Sequence, residues 1–361
     1  MKKQKVAVAM SGGVDSGVAA VLLVKQGYKV AGFHLQLWSE REKDQTFLNK
    51  CCDTASLQSA QRTASQLKIP FFKVDFVAPL FKKRVVDYFL REYGLGRTPN
   101  PCVVCNRFIK FGELMTYAQN LGHDYLATGH YARIVKNKQF HLLKGKDKKK
   151  DQSYFLYNLN QKKLAKIFFP VGDYQKKEVI KMAKKWQLPV AERPESQEIC
   201  FFPEDDYRPF LKRQIKEKII PGEVVNLKGQ VIGKHLGLPL YTVGQRHGFK
   251  ITDKKVLGPL YVVDKKVKKN QLVVGFGKEV EKKEFLVKDV NWLSGNPPKK
   301  EIKCQVRIRH QGDLLKARIR GKKEVKVVLD ESERGVAPGQ AAVFYQGEEV
   351  FGGGIISLNR D

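Results

Sequence analysis

The first apolar run of the chain, Val6 to Met10, is short and rich in Val and Ala. It is followed by the turn Ser11-Gly12-Gly13 and then by a helical spacing of apolar residues from Val14 to Gln26. Gly27 ends that helix, and Tyr28 to Leu37 reads as a second strand. Asp53 or Thr54 caps a helix running to Leu67, Pro70 stops it, and Phe71 to Asp75 is the next strand. Helical patterns cover Ala78 to Tyr93 and Asn106 to Leu121, and the latter leads into a strand at Asp124 to Thr128. Helix is expected again from about Lys162 to Gln187. Strands alternating with helices predict a doubly wound parallel sheet, with any ligand at the carboxyl ends of its strands.

Beyond Pro221 the pattern changes. Gln230 to Lys234, Leu257 to Val263, Gln271 to Val274, Cys304 to Ile308, Leu314 to Ile319, Val325 to Leu329 and Ala341 to Phe344 are short, alternating and separated by turn residues. They predict a small connecting domain and a β-barrel or sandwich. The Lys-rich run from Lys144 to Lys150 is expected to be a mobile loop.

Composition narrows the class of partner. A chain of 361 residues is expected to hold two or three domains. Sixty-seven Lys and Arg against 37 Asp and Glu give a formal charge of +30, which collects polyanions and makes a nucleic acid the leading partner. No apolar run is long enough to span a membrane, and Ser11 to Asp15 interrupt what would be a signal segment, so a cytoplasmic location is expected. Six cysteines in such a chain do not read as a disulfide framework.

The loop Ser11-Gly12-Gly13-Val14-Asp15-Ser16 opens a helix directly after the first strand. Two glycines let the backbone approach an anion, two hydroxyls can donate, and the helix N-terminus supplies unpaired N–H groups of favourable polarity. It lacks the Lys followed by Ser or Thr of the common nucleotide loop. It resembles the loop of the ATP pyrophosphatases, which split ATP between the α and β phosphates. That resemblance gives Asp15 a part in holding magnesium on the departing pyrophosphate.

The segment Thr98-Pro99-Asn100-Pro101-Cys102-Val103-Val104-Cys105-Asn106 places two cysteines three apart behind a proline-stiffened turn, with Asn106 able to cap the next helix. A thiol at a helix start has its thiolate stabilised by the backbone N–H groups. Cys200, in Glu198-Ile199-Cys200-Phe201, is a third relevant thiol. A zinc site completed by Cys51 or Cys52 is the structural alternative, and Cys304 reads as a buried strand residue.

The phosphate loop, Thr98 to Asn106, Ala127 to Ala132, Lys150 to Leu156, Ser196 to Phe201, Tyr241 to Arg246 and Gly335 to Tyr345 together resemble the tRNA-specific 2-thiouridylase family. The resemblance runs in order along nearly the whole chain. It implies an ATP-pyrophosphatase-type α/β domain over residues 1–203, a small connecting domain over 204–278 and a tRNA-contacting β-barrel over 279–361. It also implies adenylation of the C2 oxygen of the wobble uridine of tRNAs for Lys, Glu and Gln. Cys200 would carry a persulfide delivered by a cysteine desulfurase or sulfur-relay protein, and Cys105 would close a transient disulfide with it. Ala9, Met10, Ser11, Gly12, Gly13, Val14, Asp15, Ser16, Leu35 and Gly129 would contact ATP. Asn100, Pro101 and Cys102 would line the target base, with His130 beside it. Lys150, Asp151, Gln152, Arg309, His310 and Gln340 would touch tRNA.

Many family members have Asp at the position of Cys102. The trio Cys102, Cys105 and Cys200 therefore raises a second mechanism, in which three thiolates hold a [4Fe-4S] cluster with one iron open to sulfide. Two other readings compete with both. A ligase such as argininosuccinate or GMP synthetase would share the ATP loop but leave the cysteines unused. A noncatalytic, zinc-stabilised RNA-binding module would need no ATP.

Overall fold

The computed structural model describes residues 3–42, 45–47, 54–191 and 199–357. Its N-terminal part is built on five parallel strands: β1 (Lys5–Ala9), β2 (Lys29–Leu35), β3 (Phe71–Val74), β4 (Tyr125–Ala127) and, after a hairpin described below, β7 (Ile167–Phe168). Their spatial order is β3-β2-β1-β4-β7, every neighbouring pair parallel. In β1, Val6, Ala7 and Val8 are wholly buried, as a central strand covered on both faces requires. The strand order reverses between β1 and β4. That reversal opens a crevice between the loops leaving their carboxyl ends.

The helix Val14–Lys25 packs on the sheet through Ala20 and Leu23, while Val18 and Ala19 face the helix Lys176–Lys185. Thr54–Gln66 matches the expected second helix, while Asp53 lies outside the described residues. Ala78–Phe81, Lys82–Val86 and Asp87–Gly94 follow one another directly, the middle piece being π-helical.

A hairpin, β5 (Ala132–Lys136) and β6 (Phe140–Lys144), leaves the N-terminal part and pairs with the C-terminal barrel. The middle part is a sheet of β8 (Gly222–Val225), β9 (Val231–His235), β10 (Lys250–Ile251), β11 (Leu260–Lys266) and β12 (Gln271–Phe276), in the order β10-β9-β8-β12-β11. The barrel contains β13 (Glu281–Trp292), β14 (Ile302–Arg307), β15 (Leu315–Gly321), β16 (Val325–Arg334), β17 (Ala341–Gln346) and β18 (Glu349–Ser357). They run β13-β16-β15-β14-β17-β18, and β18 pairs back to β13 to close six antiparallel strands. Closure leaves the barrel without a free sheet edge, and Trp292, Phe344 and Phe351 fill its core with offset rings.

Several expectations are corrected. The single helix expected from Lys162 to Gln187 is instead Gln161–Leu164, the edge strand β7 and Lys176–Lys185. Ile167 is buried beside Leu126, and Pro170 and Gly172 turn the chain before the last helix. The cysteine segment is helical from Pro101, with Asn100 rather than Asn106 as the cap. The Lys144–Lys150 run is a hydrogen-bonded turn in which the Asp147 carboxylate accepts the N–H groups of Lys149, Lys150 and Lys176. The residue pattern predicts no strand at β5, β6, β8, β10, β13 or β18, because short, highly charged or Gly-interrupted runs give little periodicity.

Candidate active site

Two sites take shape, one at the crevice of the parallel sheet and one where the three parts of the chain meet. At the crevice, Gly12 has φ near +77°, and a Cβ there would lie 2.2 Å from the Ser56 carbonyl oxygen, so the loop passes another backbone at a distance that requires glycine. Ser16 Oγ accepts the Ser11 N–H at 3.2 Å and donates to the Gly13 carbonyl at 3.0 Å, holding the loop curled at the N-terminus of its helix. Gly129, just beyond β4, abuts this loop: a Cβ there would meet Asp15 C and Ser16 N, both at 2.7 Å. Leu35 closes the end of β2. The structure therefore gathers Ala9 to Ser16, Leu35 and Gly129 at the carboxyl ends of the central strands, although Val14 turns its side chain into the core.

Asp15 points out of the loop. Lys176 Nζ donates to both its carboxylate oxygens, at 2.7 and 2.8 Å, and the Tyr131 hydroxyl donates to Oδ1 at 2.8 Å. Neither Lys176 nor Tyr131 is marked as a site residue by the sequence, since only the fold brings them to the loop. A magnesium ion on a nucleotide is held through one or two carboxylates plus phosphate oxygens, so this single carboxylate fits such an ion.

The second site is a cavity of about 490 Å³, a volume suited to a nucleoside. The N-terminal part contributes Pro99, Asn100, Pro101, Cys102, Phe155 and Ile199; the middle part Thr242, Val243 and Gly244; the barrel Arg309, His310, Arg334, Gly335, Ala337 and Gln340. Thr98 pins the junction: its N–H donates to the Pro338 carbonyl at 2.8 Å and its hydroxyl to Thr242 Oγ1 at 3.4 Å.

Local sequence explains the cysteine positions. Asn100 is extended and its side chain accepts the Val103 N–H at 3.3 Å, and Pro101 occupies the first helical position, where a missing N–H costs nothing. Cys102 thus falls in the first turn, half-buried and facing the cavity. Cys105 is buried in the next turn, and Cys200, half-buried, follows the cavity residue Ile199. The preceding residues 192–198 lie outside the described ones. Cys51 and Cys52 lie outside them too. Cys304, on β14, has its thiol pushed up to about 12 by burial.

Arg309 is tied to Glu333 at 3.3 Å and to the Arg334 carbonyl at 3.1 Å, which fixes the rim of the cavity. His310 lies against Phe155, the two rings tilted with centroids 4.3 Å apart, and burial with the nearby Arg307 lowers its pKa, so it is neutral at pH 7. Its buried Nδ1 has no hydrogen-bond partner among the described residues.

Other expected tRNA contacts lie elsewhere. The buried Asp151 carboxylate accepts the N–H groups of Gly145 and Ser153 at 3.1 Å and Arg307 Nη1 at 2.9 Å, bracing the barrel against the N-terminal part. Gln152 accepts the Tyr131 N–H at 3.0 Å, and Lys150 belongs to the turn held by Asp147. His130 lies behind the crevice, its Nδ1 2.7 Å from Thr128 Oγ1, between Phe111 and Phe169; burial holds its pKa well below the ordinary value. None of these four lines the cavity.

Among the described residues, which include Cys102, Cys105 and Cys200, no three His, Cys, Asp or Glu side chains converge to hold a metal ion.

Sequence comparison matches the same three parts. Residues 4–204 match the tRNA methyl transferase HUP domain, 208–276 the tRNA methyl transferase PRC-barrel domain, and 282–356 the aminomethyltransferase beta-barrel domain. The chain is 44% identical over 361 residues to the tRNA-specific 2-thiouridylase MnmA of Carboxydothermus hydrogenoformans, covering 98% of each chain. It is 45% identical over 358 residues to MnmA 2 of Thermoanaerobacter sp., covering 98% of this chain and 97% of the relative. It is 41% identical over 358 residues to MnmA of Clostridioides difficile, covering 98% of each. Nucleotide loop, three-part cavity and full-length similarity agree, and the chain belongs to the tRNA-specific 2-thiouridylase family.

Proposed function

We propose that this chain is a cytoplasmic, ATP-dependent tRNA sulfurtransferase that replaces the C2 oxygen of the wobble uridine, position 34, of tRNAs for Lys, Glu and Gln. The observation that carries this reading is the cavity into which all three parts of the chain converge, with Cys102 and the Ile199-Cys200 turn on one side and Arg309, His310 and Gln340 on the other. A base must leave its stack before C2 can be reached, and a pocket assembled from separate domains suits a flipped nucleotide.

ATP binds at the Ser11–Ser16 loop, whose N–H groups and helix end match phosphate charge. The C2 oxygen attacks the α-phosphorus, the bond to the β-phosphate breaks, and pyrophosphate leaves. Asp15 is the residue that would hold magnesium, which would supply charge neutralisation on that pyrophosphate. The terminal sulfur of a Cys200 persulfide, delivered by a cysteine desulfurase or relay protein, attacks C2 and expels AMP. The Cys105 thiolate then attacks Cys200 Sγ, releasing the sulfur on C2 and leaving a Cys105–Cys200 disulfide. A two-electron thiol reductant resets the pair. In a second route, Cys105 frees the sulfur as sulfide, which attacks C2.

Cys105→Ser and Cys200→Ser test the scheme. Each is expected to lower 2-thiouridine formation at least a thousandfold while folding and tRNA affinity stay within twofold of wild type. Unfolding with loss of bound zinc would replace the enzyme with a zinc-stabilised RNA-binding module.

A further inference from the structure

A second cavity, of about 230 Å³, opens on the other face of the cysteine helix. Cys102 faces the first cavity, whereas Val103, Val104 and Arg107 face this one, so a single helical segment about 10 Å thick separates the two. The barrel closes both, here through Asp289 and Ile355.

The lining is strongly cationic. Lys83, Arg84, Arg91 and Arg107 stand against one carboxylate, Asp289. The guanidinium groups of Arg84 and Arg107 both lie over the Phe108 ring, at 5.2 and 5.0 Å, and Arg91 lies over Tyr88 at 5.6 Å. Arg91 is paired with Glu92 at 3.4 Å. Among the described residues Lys83, Arg84 and Arg107 form no ion pair with a carboxylate. Lys163 adds a further cation, donating to the Arg107 carbonyl at 3.4 Å, and burial together with Arg107 lowers its pKa. Crowding cations without counter-ions works against the fold, and an anion would relieve it.

We propose that this cavity grips a backbone phosphate of the RNA whose target nucleotide occupies the first cavity. The proposal rests on the reading of tRNA as substrate. Two guanidinium groups carried over one aromatic ring bring their N–H donors to one side of the recess, where both can donate to the oxygens of a phosphodiester. The recess admits a phosphate and sugar and is too small for a folded protein surface, which favours RNA over an acidic sulfur-donor protein.

The test is equilibrium binding of unmodified tRNA across a salt series by wild type, the Arg84→Gln/Arg107→Gln double variant and Asp289→Asn. Both arginines are solvent-exposed, so the double variant is expected to fold. Asp289 has φ near +53°, a conformation Asn tolerates. The double variant is expected to weaken binding at least tenfold and to flatten the log–log salt slope by roughly 0.7–0.9 per lost phosphate contact. Asp289→Asn is expected to tighten binding severalfold, which a folding defect would not do. A double variant with wild-type affinity and slope overturns the grip while leaving tRNA as the substrate. Unchanged tRNA binding with slowed sulfur uptake from a donor protein reassigns the cavity to that protein and overturns it as well. A wild-type chain that does not bind tRNA removes both readings.

Discussion

Lys176 and Asp15 form the tightest ionic contact at the nucleotide loop, with the ammonium donating to both carboxylate oxygens at 2.7 and 2.8 Å and with 11% and 26% of the two side chains exposed. The lysine enters from the start of the helix Lys176–Lys185, 161 residues beyond its partner. A cation already placed at the phosphate loop has a second use when an anionic nucleotide arrives.

Lys176→Met is therefore expected to raise the KM for ATP about tenfold, the loss of one charge-assisted hydrogen bond, while the same carboxylate, relieved of its counter-ion, reaches magnesium saturation at lower metal concentration. Steady-state pyrophosphate release at varied ATP and magnesium reads both. An unchanged ATP KM would confine Lys176 to bracing the loop.

Gly129→Ala places a methyl group where the backbone atoms Asp15 C and Ser16 N lie only 2.7 Å away, so the phosphate loop must shift. ATP-dependent adenylation is expected to fall by about a hundredfold, the order of effect that a misplacement near 1 Å produces. Retained tRNA affinity in a filter-binding assay would localise the damage to the crevice.

Asp151 and Arg307 form a buried pair, with 2% and 11% of their side chains exposed. Asp151→Asn or Arg307→Met leaves a charge stranded and is expected to destabilise the barrel's docking by about 3–5 kcal/mol, whereas the double variant recovers much of that loss. A double-mutant cycle by urea denaturation measures the coupling. Additive effects would show that the two residues act independently.

Thiol reactivity should separate the cysteines. Cys102 sits in the first turn of a helix beside an open cavity, whereas the Cys304 thiol, pushed up to about 12 by burial, stays protonated at pH 8. Iodoacetamide followed by peptide mass spectrometry is expected to label Cys102 well before Cys304. The reverse order would contradict the site geometry.

These tests rest partly on features legible in the chain itself. The Val-rich strand β1 and the Ser-Gly-Gly turn mark the sheet and its phosphate loop, because a both-faces-buried strand and a helix N-terminus each leave a local signature. The edge strand β7 hides inside an apparent helix, since two residues carry no period and their pairing with β4 is a tertiary event. The cavity is legible piecemeal. Asn100, Pro101, Cys102, Arg309, His310 and Gln340 follow from the family resemblance, while Phe155, Thr242 and Arg334 do not, because an aromatic, a hydroxyl or a surface cation signals a site only through its neighbours. The same holds for the inward hydrogen bonds of Asp151 and Gln152, residues that the resemblance assigns to tRNA and whose side chains accept backbone N–H groups that only the fold brings to them. Cys102 and Cys200 are far apart in the chain, and only the fold sets Cys102 on the cavity and Cys200 next to its lining residue Ile199.

The decisive measurement is to incubate the chain with unmodified tRNA, ATP, magnesium and a persulfide donor, then to quantify tRNA nucleosides by mass spectrometry alongside AMP. 2-Thiouridine is expected at the wobble position, dependent on ATP, with one AMP released for each sulfur installed. Persulfide loaded on Cys200 together with intact ATP and tRNA binding, but no 2-thiouridine, would refute ATP-dependent thiolation by this chain.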